Sequence, residues 1–180
     1  RARHGYFLYN KHDIYIGRSI AVYGEYSEGE VALFQQICGP SDVVVEVGAN
    51  IGAHTVPLAR MVESGGFVCA FEPQRIVFQN LCANVALNSL LNVRCYEMAL
   101  AAERGHAHVE SIRYDADGNF GGIALSATPT ESSSPRHTAP LDEIVDLTRL
   151  RLLKVDVEGM EADVLRGAAR TIQRTRPLIY

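Results

Sequence analysis

Two glycines, Gly48 and Gly52, stand four residues apart directly after a short apolar run. That run, Val43–Val47, is β-branched and mostly apolar, as a buried parallel strand is, and helical spacing of apolar residues begins at Ala53. Glycines in such a strand-to-helix turn let the backbone approach a ligand closely. The Gly-x-x-x-Gly spacing fits neither the dinucleotide fingerprint nor the phosphate-binding P-loop, so a pyrophosphate ligand is disfavoured. The alternative is a purely structural turn.

Two acidic residues lie at the same edge of the predicted sheet. Glu46 precedes the glycine turn, where a carboxylate would repel phosphate but attract an ammonium or a sulfonium. Glu72 follows the second apolar run, Phe67–Phe71, and lies 24 residues after Gly48. Nucleotide-binding folds place an acid there on the ribose hydroxyls. Taken alone, Glu72 is equally well explained as a surface acid at a strand end.

Several acids lie at and just beyond the end of the strand-like run 152–157, where a third turn follows. Asp156 and Glu158 stand at its tip, where a carboxylate needs a partner, a ligand or solvent, so both are candidate catalytic bases. With Glu161 they could instead cap the next helix. His54, just past the glycine turn, is a third candidate base, and its alternative is a histidine on a helix surface. A hard cation could bind Asp156 and Glu158, but no third ligand is evident, so no metal is predicted.

The rest of the chain must supply strands and helices that position these turns. Apolar patterning predicts strands at 43–47, 67–71, 93–96, 152–157 and 177–180, and helices at 28–38, 53–61, 76–87, 141–145 and 162–173. The opening stretch to Gly24 predicts one or two short strands or an extended arm. Residues 103–140 predict part strand and part loop, with the loop at 131–135. We expect 114–136 to contribute to the acceptor side of a site.

Strands that alternate with helices predict an α/β fold with a doubly wound, mostly parallel sheet and helices on both faces. We expect one domain overall, with residues 1–40 as an N-terminal arm and helix that pack on the core. The start at Arg1 rather than Met, and the end at Tyr180 inside a strand, suggest that sequence is missing at both ends, including C-terminal strands.

Composition excludes several classes of protein. The 180 residues are 47% hydrophobic and 21% charged, as in a globular domain, and the net charge of −4 gives no general attraction to nucleic acid or to an anionic membrane. No run approaches the roughly 18 to 20 apolar residues that span a bilayer, and the first residues do not form a signal peptide. We expect a cytoplasmic protein without disulfides, because no zinc or disulfide pattern connects Cys38, Cys69, Cys82 and Cys95.

Taken in order, the three turns resemble the FkbM family of S-adenosylmethionine-dependent methyltransferases. The likeness runs from about Tyr23 to Tyr180, and the block Lys154–Gly159 is its most specific part. Glu46 stands where the family usually has Asp, which keeps the charge. The matching stretches are Val43–Gly52, Ala70–Pro73 with Asn84–Asn88, and Leu153–Glu161 with Val164–Gly167; weaker matches are Gly24–Tyr26 with Glu30, and Asn119–Gly122.

The resemblance implies a Rossmann-like methyltransferase fold, with residues 41–180 as the domain that binds S-adenosylmethionine. It implies O-methylation of a hydroxyl on a small-molecule or glycan acceptor, such as a sugar, a glycolipid or a secondary metabolite. Glu72 would hold the ribose, Met98 and Ala99 would flank the adenine, and Asp156 would lie near the reactive methyl. The implied cofactor-binding residues are Glu46, Gly48, Ala49, Asn50, Gly52, Glu72, Pro73, Met98, Ala99 and Asp156.

Three other functions fit the sequence less well. A nicotinamide-dependent oxidoreductase would require a different glycine spacing, and a non-catalytic module of the same fold would not require the acids. A nucleic-acid methyltransferase typically has Asn/Asp-Pro-Pro-Tyr/Phe after its fourth strand, where this chain has Asp156-Val157-Glu158-Gly159. The residues do not assign an acceptor or an oligomeric state.

Overall fold

The computed structural model describes all 180 residues, which form a five-stranded parallel sheet, a three-stranded sheet and seven helices. In the larger sheet the order is β3-β2-β1-β7-β8, with β1 (Val43–Val47), β2 (Phe67–Phe71), β3 (Val93–Tyr96), β7 (Leu152–Val155) and β8 (Leu178–Ile179). The order reverses between β1 and β7. Ligands of open α/β sheets bind at such a reversal, beyond the carboxyl ends of the strands.

Helices cover both faces of the larger sheet. Val45 packs in one apolar cluster with Val164, whereas Val44 packs in another with Leu58. Because successive residues of a strand point to opposite faces, both faces of β1 are buried, and the predicted doubly wound α/β fold is confirmed. The helices are α1 (Ile16–Tyr23), α2 (Glu28–Ile37), α3 (Thr55–Val62), α4 (Arg75–Leu87), α5 (Leu141–Ile144), α6 (Glu161–Gly167) and α7 (Ala169–Thr175).

The smaller sheet has the order β4-β6-β5, with β4 (Ala99–Leu100), β5 (Gly105–Val109) and β6 (Ser134–Ala139). The predicted loop 131–135 is wrong at its end, because Ser134 and Pro135 belong to β6. Pro135 lies opposite His108 of β5, and on its other side β4 is too short to reach it. Proline is tolerated at such an edge position, since no ladder partner needs its missing N–H.

Two other predictions need correction. The opening stretch is not only an extended arm, because it ends in α1; the Asp13 carboxylate accepts hydrogen bonds from the N–H groups of Tyr15 and Gly17 and so caps that helix. The single helix predicted at 162–173 is two helices, α6 and α7. The break is at Ala168, and a Cβ on Gly167 would lie 2.0 Å from the Ala101 carbonyl oxygen.

The N-terminal arm is fixed to the core through Asn84 of α4, which is fully buried. Its side-chain oxygen accepts the Leu8 N–H at 2.6 Å, and its amide donates to the carbonyls of Leu8 and Ile51 at 3.0 and 2.7 Å. Asn84 therefore joins the arm to the turn after β1. None of the helices combines the length and the apolar character needed to cross a membrane.

Candidate functional site

The turn between β1 and α3 has three residues in left-handed backbone conformations: Gly48 (φ 81°), Asn50 (φ 51°) and Gly52 (φ 87°). A Cβ on Gly48 would lie 1.9 Å from the Asp156 carbonyl oxygen, and one on Gly52 would lie 2.9 Å from Leu81. Gly48 is thus required by a contact with backbone, whereas Gly52 is favoured by its left-handed φ, since the Leu81 side chain could move. The expectation that glycines let a ligand approach closely led to the correct turn. Packing against the protein's own backbone accounts for Gly48.

Glu72 joins this turn to the end of β2. Its buried carboxylate accepts the Asn50 N–H at Oε2 (3.0 Å) and the Gln74 N–H at Oε1 (2.9 Å). Burial raises the pKa of Glu72 to about 7, and the two N–H groups lower it by less than burial raises it. Each carboxylate oxygen keeps a further acceptor position. The side chain therefore serves the fold and still faces the site.

Glu46, on the central strand, lies in a buried charged cluster. Its Oε2 accepts the Thr55 hydroxyl at 2.6 Å, and its Oε1 lies 3.8 Å from Lys154 Nζ. Lys154 also donates to Asp156 Oδ2 at 2.9 Å. Burial raises the pKa of Glu46 to about 6, against the opposing effect of Lys154. When the carboxylates of Glu46 and Asp156 are both ionised, they outnumber the one ammonium group of Lys154 and leave one excess negative charge. The cluster therefore still favours a cationic ligand.

His54 stands at the start of α3 and is buried, so the alternative of a surface histidine is wrong. Its Nε2 lies 3.0 Å from Glu30 Oε2, but the alignment is poor and the nitrogen makes no hydrogen bond. Burial, reinforced by the charge of Lys154, lowers the pKa of His54 to about 4. The imidazole is therefore neutral near pH 7. The centroid of its ring lies 5.8 Å from the centroid of the Tyr26 ring.

Two clefts open at the carboxyl ends of β1, β2 and β7. The apolar cleft, of about 510 Å³, is lined by Val47, Gly48, Phe71, Glu72, Pro73, Gln74, Met98, Ala99, Leu100, Gly121, Ile123, Leu125, Asp156, Val157, Glu158 and Met160. The polar cleft, of about 840 Å³, is lined by Tyr15, Ile16, Tyr26, Glu46, Gly48, Ala49, Asn50, Ala53, His54, Glu72, Asn119, Gly121, Gly122, Lys154, Asp156 and Glu158. They share Gly48, Glu72, Gly121, Asp156 and Glu158, so they are two halves of one site.

Every residue predicted from the sequence for the site lines one of the clefts, except Gly52. Gly52 lies deeper in the turn, against Leu81. Glu158 lies where both clefts meet, and Asp156 beside it has a side chain 67% exposed. No three His, Cys, Asp or Glu side chains are grouped as a metal site requires, and all four cysteines are free thiols.

Lys154, Tyr15 and Gln74 also line the clefts, although the sequence did not predict them as site residues. A lysine within an apolar run was a usable signal, because it lies directly beside Glu46 in the parallel register of β1 and β7. Gln74 had no such signal. Its amide donates to the Phe120 carbonyl at 2.9 Å, and its oxygen accepts the Tyr114 hydroxyl at 3.1 Å. Gln74 thereby holds the segment 114–122 over the clefts.

A parallel sheet of order β3-β2-β1-β7-β8, with an acid after β2 and a divided cleft where the order reverses, is the arrangement of the Rossmann-like fold of class I methyltransferases. Within that class the chain belongs to the FkbM methyltransferases, because residues 46–180 match the methyltransferase FkbM domain. The family resemblance of the three turns is confirmed.

Relatives and solved structures agree with this assignment. The hexuronic acid methyltransferase AglP of Haloferax volcanii is 29% identical over 145 residues, which cover 73% of this chain and 52% of AglP. The FkbM methyltransferase structure from Methylobacillus flagellatus has a TM-score of 0.54 at 19% identity, and covers 84% of this chain and 39% of its own. A Streptococcus mutans protein assigned as a methyltransferase and solved with SAH has a TM-score of 0.50 at 11% identity. The match covers 82% of this chain and 65% of the Streptococcus mutans chain. The chain spans 52% to 59% of the lengths of the curated relatives it matches.

Proposed function

We propose that this chain is the cofactor-binding domain of a methyltransferase that uses S-adenosylmethionine and methylates a hydroxyl of a small molecule or glycan. The observation that carries the proposal is the divided cleft, whose apolar and polar halves meet at Glu72 and Asp156. S-adenosylmethionine has the same division, with an apolar adenine at one end, a cationic amino acid part at the other, and a ribose between them.

The residues present fit each part of that cofactor. Met98 and Ala99 would hold the adenine among the apolar side chains of the apolar cleft. Glu72, at the junction, would accept hydrogen bonds from the ribose diol. The polar cleft, with Glu46 and Asn50, would hold the methionine part, whose ammonium complements the excess negative charge around Lys154. The Streptococcus mutans structure of similar fold was solved with the demethylated form of this cofactor, SAH.

In methyl transfer, the cofactor supplies an already activated methyl group, so the protein must chiefly orient the hydroxyl that attacks it. Orientation accounts for roughly 7 to 11 kcal/mol of a barrier in favourable cases. Asp156 and Glu158 both line the two clefts, and Asp156 is the better placed proton acceptor, because a hydrogen bond of 2.9 Å from Lys154 positions its carboxylate. His54 and Glu158 are the other groups that could accept the proton. A base of this kind contributes about 10²- to 10⁴-fold.

The test is transfer of tritium from methyl-labelled S-adenosylmethionine to a panel of hydroxyl compounds. Hexuronic acids come first in the panel, given the name of the Haloferax volcanii relative, followed by neutral hexoses and glycolipids. We expect labelled product with at least one class. Asp156→Asn should lower that rate about 10²-fold or more while SAH still binds. SAH binding without transfer to any acceptor would instead support a non-catalytic module.

A further inference from the structure

Helix α1 buries one side and exposes the other next to the polar cleft. Ile16 and Ile20 pack into the core, whereas Val22 and Tyr23 face solvent, Tyr23 with 75% exposure. Tyr15, just before the helix, is 57% exposed. Large apolar and aromatic groups grouped at a surface indicate a binding site more often than single ones do.

These side chains line a groove of about 770 Å³, which we call the tyrosine groove: Ile14, Tyr15, Arg18, Ser19, Val22, Tyr23 and Tyr26. The groove is continuous with the candidate site, because Tyr15 and Tyr26 also line the polar cleft. Burial and the charge of Asp156 raise the pKa of Tyr26, so its phenol stays protonated and can donate a hydrogen bond. A methyl acceptor bound in the tyrosine groove could therefore reach Asp156 along the continuous surface of the groove and the polar cleft.

The walls of the tyrosine groove are fixed before any ligand binds. Asp13 caps the start of α1 through the N–H groups of Tyr15 and Gly17, each at 3.0 Å. The Ser19 hydroxyl donates to the Glu25 carbonyl at 2.7 Å, which ties the helix to the segment that carries Tyr26. A preformed site loses less conformational entropy on binding than a flexible one.

The tyrosine groove also contains a free positive charge. Six of the fifteen arginines pair with carboxylates, and Arg18 is one of the nine that do not. The acids nearest in sequence are already engaged, Asp13 with backbone N–H groups and Glu25 with Arg3 at 2.6 Å. A guanidinium binds a carboxylate in a bidentate manner, and rigid tyrosine rings offer flat apolar faces with polar edges.

We propose that the tyrosine groove is the acceptor subsite and that it binds a saccharide bearing a carboxylate. The rings of Tyr15 and Tyr23 pack against the C–H faces of the sugar, and Arg18 pairs with its carboxylate. This proposal rests on the proposed methyltransferase function, since it places the sugar hydroxyl beside Asp156. It assigns acceptor recognition to the segment before the cofactor-binding turns, outside residues 46–180 that match the family domain.

Saturation-transfer NMR with SAH present tests the proposal, using methyl β-D-glucuronide and methyl β-D-glucoside as probes. Arg18→Gln should weaken glucuronide binding about tenfold and leave glucoside binding unchanged, because only the charge-assisted bond is lost. Tyr23→Ala should weaken both. The matched controls are Arg176→Gln and Tyr6→Ala, which remove an unpaired arginine and a 55% exposed tyrosine outside the tyrosine groove and should bind like the wild type.

The outcomes separate this proposal from the function on which it rests. If SAH binds but neither Arg18→Gln nor Tyr23→Ala changes the signals, or the wild type binds neither glycoside, the subsite is overturned and the methyltransferase proposal stands. A loss with Tyr23→Ala alone would show a neutral saccharide site and overturn the role of the carboxylate. If SAH itself does not bind the folded protein, both proposals fail. Thermal melts of each variant confirm that the substitutions leave the fold intact.

Discussion

The backbone N–H of Asn50 donates a hydrogen bond of 3.0 Å to Glu72 Oε2, and both residues are buried. This bond joins the strained turn after β1 to the end of β2, so that the two halves of the cleft keep a fixed relation. Glu72 therefore has two roles that mutation affects together: it organises the turn, and it presents the acid that we assign to the ribose.

Replacing Glu72 with alanine should lower the stability of the fold as well as cofactor affinity. The N–H groups of Asn50 and Gln74 would lose their acceptor inside the protein, and an unsatisfied buried donor costs about 1 to 3 kcal/mol. We expect Glu72→Ala to reduce the free energy of unfolding by about 2 to 4 kcal/mol in urea denaturation. Glu131→Ala, at an exposed acid, is the control; equal stability of the two variants would contradict the structural role of Glu72.

The raised pKa of Glu72 predicts a pH dependence. Its folded value of about 7 lies above the ordinary value of 4.5, so the folded state holds the proton more tightly. The stabilisation that protonation provides is complete below pH 4.5 and is lost as the pH rises through 7. Glu72→Gln has no such loss, so its stability relative to the wild type should increase by about 2 to 3 kcal/mol from pH 5 to pH 8. A difference in stability between the two proteins that stays constant from pH 5 to pH 8 would show that the pKa of Glu72 is not raised in the folded state.

The two glycines at 48 and 159 form a matched pair for testing close packing at the turn. Both have left-handed φ angles, 81° and 83°, but a Cβ on Gly48 would meet the Asp156 carbonyl at 1.9 Å while one on Gly159 meets nothing within 4 Å. Gly159→Ala should cost about 1 to 2 kcal/mol from backbone strain alone. Gly48→Ala should cost more than about 4 kcal/mol or prevent folding. Similar unfolding free energies for the two variants would rule out the close packing of Gly48 on Asp156.

Lys154 should be essential for the stability of the fold, because no other cation lies beside the buried carboxylate of Glu46. Lys154→Met leaves the buried carboxylate uncompensated, and breaking a buried pair in this way typically costs about 3 to 5 kcal/mol. The double variant Glu46→Gln with Lys154→Met removes the stranded charge and should recover much of that stability. Urea denaturation of both single variants and the double variant gives the coupling energy. If the effects of the two single substitutions simply add in the double variant, Lys154 and Glu46 do not interact across the 3.8 Å between Nζ and Oε1.

The larger sheet was predictable from the sequence because its strands are short apolar runs between helical patterns. The β-branched run of β1 and the apolar run of β2 predict buried strands, whereas the order of the strands is known only from the structure. The smaller sheet was less accessible, since β4 has only two residues and β6 includes Pro135, which sequence patterns assign to loops.

The candidate site was predictable where it follows strand ends and less so where tertiary contacts build it. Glu46, Glu72 and Asp156 were identified because each ends or closely follows a predicted strand. Gln74 and Tyr15 were not, because their roles depend on the segment 114–122 and on α1, which approach the site only in the folded chain. The irregular alternation before Ile16 led to a prediction of strand or arm, although Ile16 and Ile20 lie one helical turn apart on the buried side of α1 and Asp13 caps its start.

Calorimetric titration of the folded wild-type protein with SAH tests the central claim most directly, since it requires no knowledge of the acceptor. We expect one SAH bound per chain with a Kd in the micromolar range, about −8 kcal/mol, and no heat from NAD⁺ under the same conditions. Absence of binding up to millimolar SAH would contradict the assignment of the divided cleft.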